Sequence, residues 1–181
     1  MSKLETNTID TVSGTTTLQI GSTNAGTIAL GASGNTIKMS AGTVVSNPSI
    51  PCFTVWKNAD QTLASGDIIS FQNAITNNGN HFNTSTYRFT VPQDGFYFLI
   101  ADYLTDNAAA YSGDTRIYKN GAAFNLAGYA MSTTTAFKKG VLSGIMELET
   151  NDYIELRSQG SQVIYGSASV SHTKFSGFKI G

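Results

Sequence analysis

Apolar residues follow two different patterns on either side of position 47. Before it, short apolar–polar–apolar units recur: Leu18-Gln19-Ile20-Gly21, Ile28-Ala29-Leu30-Gly31 and Ile37-Lys38-Met39-Ser40, with Val44 opening a weaker fourth copy. The first three start 10 and 9 residues apart. Each reads as a short strand with one inward face, closed by small turn-forming residues. A strand of this length offers too few apolar side chains to build a core alone. Repeats of this kind bury their inward face against neighbours. Leu18, Ile20, Ile28, Leu30, Ile37 and Met39 are therefore expected to pack around the axis of a three-chain β-prism or intertwined β-helix. Collagen is excluded, because Gly14, Gly21, Gly26, Gly31, Gly34 and Gly42 lie 7, 5, 5, 3 and 8 residues apart rather than in strict threes. The competing expectation is a flexible Gly/Ser/Thr linker.

Asn47-Pro48-Ser49-Ile50-Pro51 disfavours helix and sets an extended connector. Residues 1–47 are read as an attachment segment and shaft, 48–52 as a Pro-containing linker, and 53–181 as a head. In the head the period becomes that of strands. Phe53–Trp56, Asp67–Phe71, Thr86–Val91, Phe96–Leu104, Arg116–Lys119, Gly140–Leu148, Tyr153–Arg157, Gln162–Tyr165 and Lys174–Ile180 are the predicted strands. Turns fall at Asn77-Asn78-Gly79-Asn80, Pro92-Gln93-Asp94-Gly95 and Asn120-Gly121. No window holds a helical period. Eight to ten short strands predict an all-β jelly roll or sandwich.

Composition sharpens this picture. Charged residues are 13% of the 181, against roughly 25% in ordinary soluble domains, with Thr, Ser, Asn and Gly in their place. The 40% hydrophobic content excludes a disordered chain, and a net charge of −1 argues against nucleic acid as partner. Cys52 is the sole cysteine, so neither an intrachain disulfide nor a cysteine metal cluster is expected. The opening MSKLETNTID has no basic segment followed by an apolar one, so no classical secretion signal is expected, and no apolar run is long enough to span a membrane.

Chemistry-bearing residues are sparse. His81 and His172 are the only histidines, and nucleophile-elbow, zinc-protease and phosphate-loop motifs are absent. No catalytic set and no organic cofactor are expected. Asp102, Asp106 and Asp114, with Asn107, gather around an expected loop from Thr105 to Gly113, where carboxylate and amide oxygens suit a hard cation such as calcium. The spacing fits no dedicated calcium loop. Tyr103, Asp106, Asn107, Tyr111 and Asp114 of the same stretch form the candidate ligand-contacting loop.

Phe71, Asn77, Phe82, Phe89, Gly95 and Tyr97 fall at the spacings of the C1q-like globular head, a branch of the tumour-necrosis-factor-like jelly rolls, which the head therefore resembles. Lys119-Asn120-Gly121 resembles that family's hairpin turn, Asn151–Leu156 its Gly-Asp-x-Val-x-Leu strand, and Phe175-Ser176-Gly177-Phe178 its closing strand. Leu99 and Ala101 stand where the signature has aromatics, and Asn151 where it has glycine. The resemblance covers roughly 53–181 and implies trimers assembled through the domain faces, and in some relatives calcium near the apex. Phe89, Tyr97, Phe175 and Phe178 are expected in the sandwich core or at the threefold contact, core packing being favoured for each.

Lys3-Leu4-Glu5-Thr6-Asn7-Thr8-Ile9 and the repeats that follow look like phage tail-fibre shafts. The leading expectation is thus a non-enzymatic virion fibre or spike protein: a homotrimer assembled in the host cytoplasm, docked to other virion proteins through about residues 1–12, and presenting its head to a host-surface molecule. The alternative is a trimeric C1q-like bacterial adhesin. A fibre-borne depolymerase ranks third, since the head is poor in acids.

Overall fold

The computed structural model describes residues 50–105, 111–132 and 137–180. The shaft repeats, with Leu18, Ile20, Ile28, Leu30, Ile37 and Met39, lie outside the described residues, as do Asp106 and Asn107. Among the described residues every element is a strand: β1 (Cys52–Trp56), β2 (Gln61–Leu63), β3 (Asn73–Asn78), β4 (Phe82–Asn83), β5 (Arg88–Thr90), β6 (Gly95–Thr105), β7 (Tyr111–Lys119), β8 (Ala122–Ser132), β9 (Lys138–Leu148), β10 (Tyr153–Ser158), β11 (Gln162–Ile164) and β12 (Lys174–Lys179).

They form a two-sheet jelly roll. One sheet runs β2-β11-β6-β12-β1-β3, with β9 also paired to β6; the other runs β4-β5-β10-β7-β8. Strand β6 is the spine of the first sheet. It pairs antiparallel with β9 from Gly95↔Leu148 to Thr105↔Lys138, and with β12 from Tyr97↔Lys179 to Asp102↔Lys174.

The inward residues of both sheets meet in an aromatic core. The Phe53 ring lies 4.7 Å from Phe89, 5.2 Å from Phe82 and 5.0 Å from Phe175. Gly177 faces this cluster and has no room for a side chain, since a Cβ there would come within 2.7 Å of Phe53 and 2.6 Å of Leu99. That crowding is a physical reason for the glycine in the Phe-Ser-Gly-Phe motif. Leu99 and Ala101, which replace signature aromatics, point inward and are fully buried.

Turn chemistry behaves as the residue types dictate. Asn120 and Gly121 both take positive φ, 53° and 80°, as a two-residue hairpin turn requires. Asn151 sits at φ 73°, a conformation that asparagine tolerates nearly as well as the glycine it replaces.

Three expectations are corrected. Asp67–Phe71 is not a strand, for only Ile68 makes a bridge, to Arg157, while the Ser70 amide is taken by the Gln61 side chain at 2.9 Å. Strand β8 was not anticipated. Of the loop expected from Thr105 to Gly113, Thr105 belongs to β6 and Tyr111 to Gly113 to β7, which begins opposite Ser132.

Candidate functional site

Alternation along β6 sorts its side chains into two rows. Tyr97, Leu99, Ala101, Tyr103 and Thr105 point inward and are buried, while Phe96, Phe98, Ile100, Asp102 and Leu104 stand on the other face. All but Asp102 of that second row are apolar, on a face that a self-sufficient antiparallel sandwich leaves polar. Register extends the patch sideways. Phe98 lies opposite Ile145 on β9 and Phe178 on β12, and Asp102 opposite Val141. The Phe98 and Phe178 rings are 5.7 Å apart. Phe96 is 51% exposed, Ile145 62% and Phe178 47%. A contiguous apolar patch of this kind marks a surface that another molecule covers.

A second exposed apolar group lies at the margin of the other sheet. Strand β8 ends that sheet and packs beside β9, with the Gly128 backbone close against the Val141 carbonyl. Phe124 and Tyr129 of β8 and Phe137 just before β9 are all exposed. The molecule thus has an apolar face on β6, β9 and β12 and, beside it on β8, an apolar edge.

The expected site residues divide between these surfaces and the interior. Phe89, Tyr97 and Phe175 are core residues; Phe178 belongs to the exposed face. Tyr97 donates its hydroxyl to the Gln93 carbonyl at 2.7 Å, and burial raises its pKa. Tyr103 is corrected: it is fully buried, and its hydroxyl donates to the Gly128 carbonyl at 2.7 Å, so it cannot meet a ligand. Asp114 lies within β7 opposite Tyr129 and is paired to Arg116 at 3.0 Å. Asp102 pairs with Lys139 at 3.0 Å in the other sheet. Tyr111 opens β7. No cluster of three His, Cys, Asp or Glu side chains able to hold a metal occurs among the described residues.

The buried carboxylate of Glu155 is neutralised internally. Glu155, fully buried on β10, accepts from Arg88 Nε at 2.7 Å and from Arg157 Nε at 2.7 Å. Arg88 lies 4.3 Å over the Tyr153 ring and Arg157 4.7 Å over Tyr118. These guanidiniums are committed to the fold.

Of the residues on the apolar face only Phe178 was expected at the core or the threefold contact, although the signal for the rest was present. Phe96–Ala101 is apolar at both parities, the mark of a strand covered on both sides.

The C1q domain family matches the chain over residues 52–180. No curated protein matches it. Among solved structures, the globular domain of zebrafish complement 1qA protein is 14% identical, covers 72% of this chain and 98% of its own, and superposes with a TM-score of 0.59. The TNF protein Eiger from S. frugiperda is 9% identical over 73% of this chain and 93% of its own, at a TM-score of 0.61. Murine APRIL is 12% identical over 72% and 99%, at 0.58. At these identities the likeness is one of fold.

Proposed function

The chain belongs to the C1q domain family, and from that premise we propose that it is a homotrimeric virion fibre or spike protein whose head attaches to a host surface. The observation that carries the assembly is the outward row of exposed Phe96 and half-buried Phe98, Ile100 and Leu104, widened by exposed Ile145 and Phe178. In the proposed trimer the apolar face of one copy receives the β8 edge of the next. That is a heterologous contact, and with a suitable rotation it closes into a ring. C1q and tumour-necrosis-factor-type domains typically form trimers, which sets the rotation at one third of a turn.

The virion assignment draws on the N-terminal repeats, whose Ile and Leu pairs need partner chains as the head does, and on their likeness to tail-fibre shafts. Three heads on one shaft turn weak contacts into avidity. The protein works by binding, not by catalysis. Immunogold labelling of purified virions with an antibody to the head tests the reading. Label on an appendage of intact particles is the expected result; particles that carry none, with the chain left behind in the lysed host, would overturn it.

A further inference from the structure

We propose that the cleft between β3 and β4 binds an uncharged polyhydroxylated ligand, a neutral saccharide of a cell surface. The inference rests on the attachment reading above and gives that attachment a ligand class and a place.

The cleft measures about 550 Å³ and is lined by the carboxamides of Gln72, Asn73, Asn77, Asn80 and Asn83 with the hydroxyl of Thr84. No charged side chain lines it. Strand β3 is the last of its sheet and β4 the last of the other, so the cleft opens at a margin of the sandwich. A carboxamide offers two donor hydrogens beside an acceptor oxygen, which matches the neighbouring hydroxyls of a sugar ring.

The amides fall into two groups. Asn77 is committed to the Phe82 backbone, donating to its carbonyl at 2.8 Å and accepting its amide at 3.0 Å. Gln72 donates to Ser70 Oγ at 2.9 Å and accepts the Asn58 amide at 3.3 Å. These two hold the walls. Asn83 spends its oxygen on the Ser85 and Thr86 amides, at 2.8 and 3.1 Å, which leaves its Nδ2 hydrogens unspent. The side chains of Asn73, Asn80 and Thr84 make no hydrogen bond to the described chain. Unspent donors and acceptors therefore concentrate in one concave place, above the buried Phe82 ring.

The backbone around them is set in advance. Asn80 and Tyr87 hold positive φ of 57° and 60°, rare for residues with a side chain, and the Tyr87 amide donates to the Asn83 carbonyl at 2.7 Å. A rim that is already ordered loses little entropy when a ligand arrives. With no cation in the lining, an acidic sugar would bury its carboxylate without a counter-charge, so neutral saccharides are preferred.

The test presents the full chain to immobilised neutral saccharides (glucose, galactose, mannose, N-acetylglucosamine and their short oligomers) and to uronic and sialic acids. The comparison is Asn73→Ala combined with Asn80→Gly, glycine preserving the positive φ. Wild type is expected to hold at least one neutral saccharide, and the double variant to lose about tenfold or more in affinity with oligomeric mass and melting temperature unchanged. Retention of acidic sugars alone, retention of none, or undiminished binding by the variant would each overturn the site. A competition assay separates this from the attachment reading. If free wild-type chain and free variant block particle adsorption equally, the cleft falls and attachment stands. If neither blocks it, attachment itself falls.

Discussion

Tyr103 and Gly140 share one volume: a Cβ on Gly140 would stand 2.1 Å from Cζ of the Tyr103 ring. The ring passes over Gly140 of β9 and delivers its hydroxyl to the Gly128 carbonyl of β8 at 2.7 Å, tying the two sheets together at the apolar edge. Gly140→Ala leaves the ring no alternative position in a packed interior and is expected to cost about 3 kcal/mol. Tyr103→Phe keeps the packing but strands a buried carbonyl, at about 1–2 kcal/mol. Urea unfolding measures both, and that order is expected.

Lys57 supplies a pH signature. It is fully buried, donates to Gln61 Oε1 at 2.8 Å and Ser70 Oγ at 2.7 Å, and has no carboxylate bonded to it. Burial lowers its pKa to about 8, against the opposing pull of Asp60. Between pH 8 and the unfolded value of 10.5 the unfolded chain holds more protons than the folded one, so this contribution to stability rises with pH across that window and fades as pH falls through 8. Lys57→Met is expected to remove the rise; denaturation midpoints of wild type and variant between pH 7 and about 10.5 compare them directly.

Ile145 and Phe178 lie on the exposed face, so replacing them leaves the interior untouched. Ile145→Glu and Phe178→Asp are each expected to weaken the trimer, raising the concentration at which it assembles, while keeping the β-sheet circular dichroism of the head. Burying three charges around one axis without partners is prohibitive. A variant that assembles as tightly as wild type would place the contact elsewhere.

Asn151 at φ 73° predicts a graded pair of substitutions. Asn151→Gly is expected within about half a kcal/mol of wild type. Asn151→Ala is expected to lose about 1 kcal/mol, because a Cβ without a local hydrogen-bonding group disfavours this conformation. Thermal melts of the two variants check the order.

Most of the head was legible where side-chain parity and turn residues agree. Phe53–Trp56 and Phe96–Leu104 alternate or run apolar, and Asn120-Gly121 marks its hairpin without ambiguity. Strand β8 was hidden because Ala122, Ala123, Ala127, Gly128 and Ala130 carry little β-propensity. It is a strand because β7 pairs with it and Gly128 admits β9. Tyr103 was misplaced for a related reason: with both faces of β6 apolar, parity alone does not say which row is core. Lys57 gave no signal, since a lysine at a strand end is ordinarily solvated. The Asn77–Asn80 stretch was legible as a turn, whereas the cleft beside it depends on β3 and β4 closing the margins of two different sheets.

The mass of the full chain in solution, by size-exclusion chromatography with light scattering, tests the central claim most directly. One copy weighs 19.2 kDa. A trimer at about 58 kDa, three times 19.2 kDa, is the expected value. A folded, soluble species at 19.2 kDa would contradict the account, because that face would then stand in water unaided.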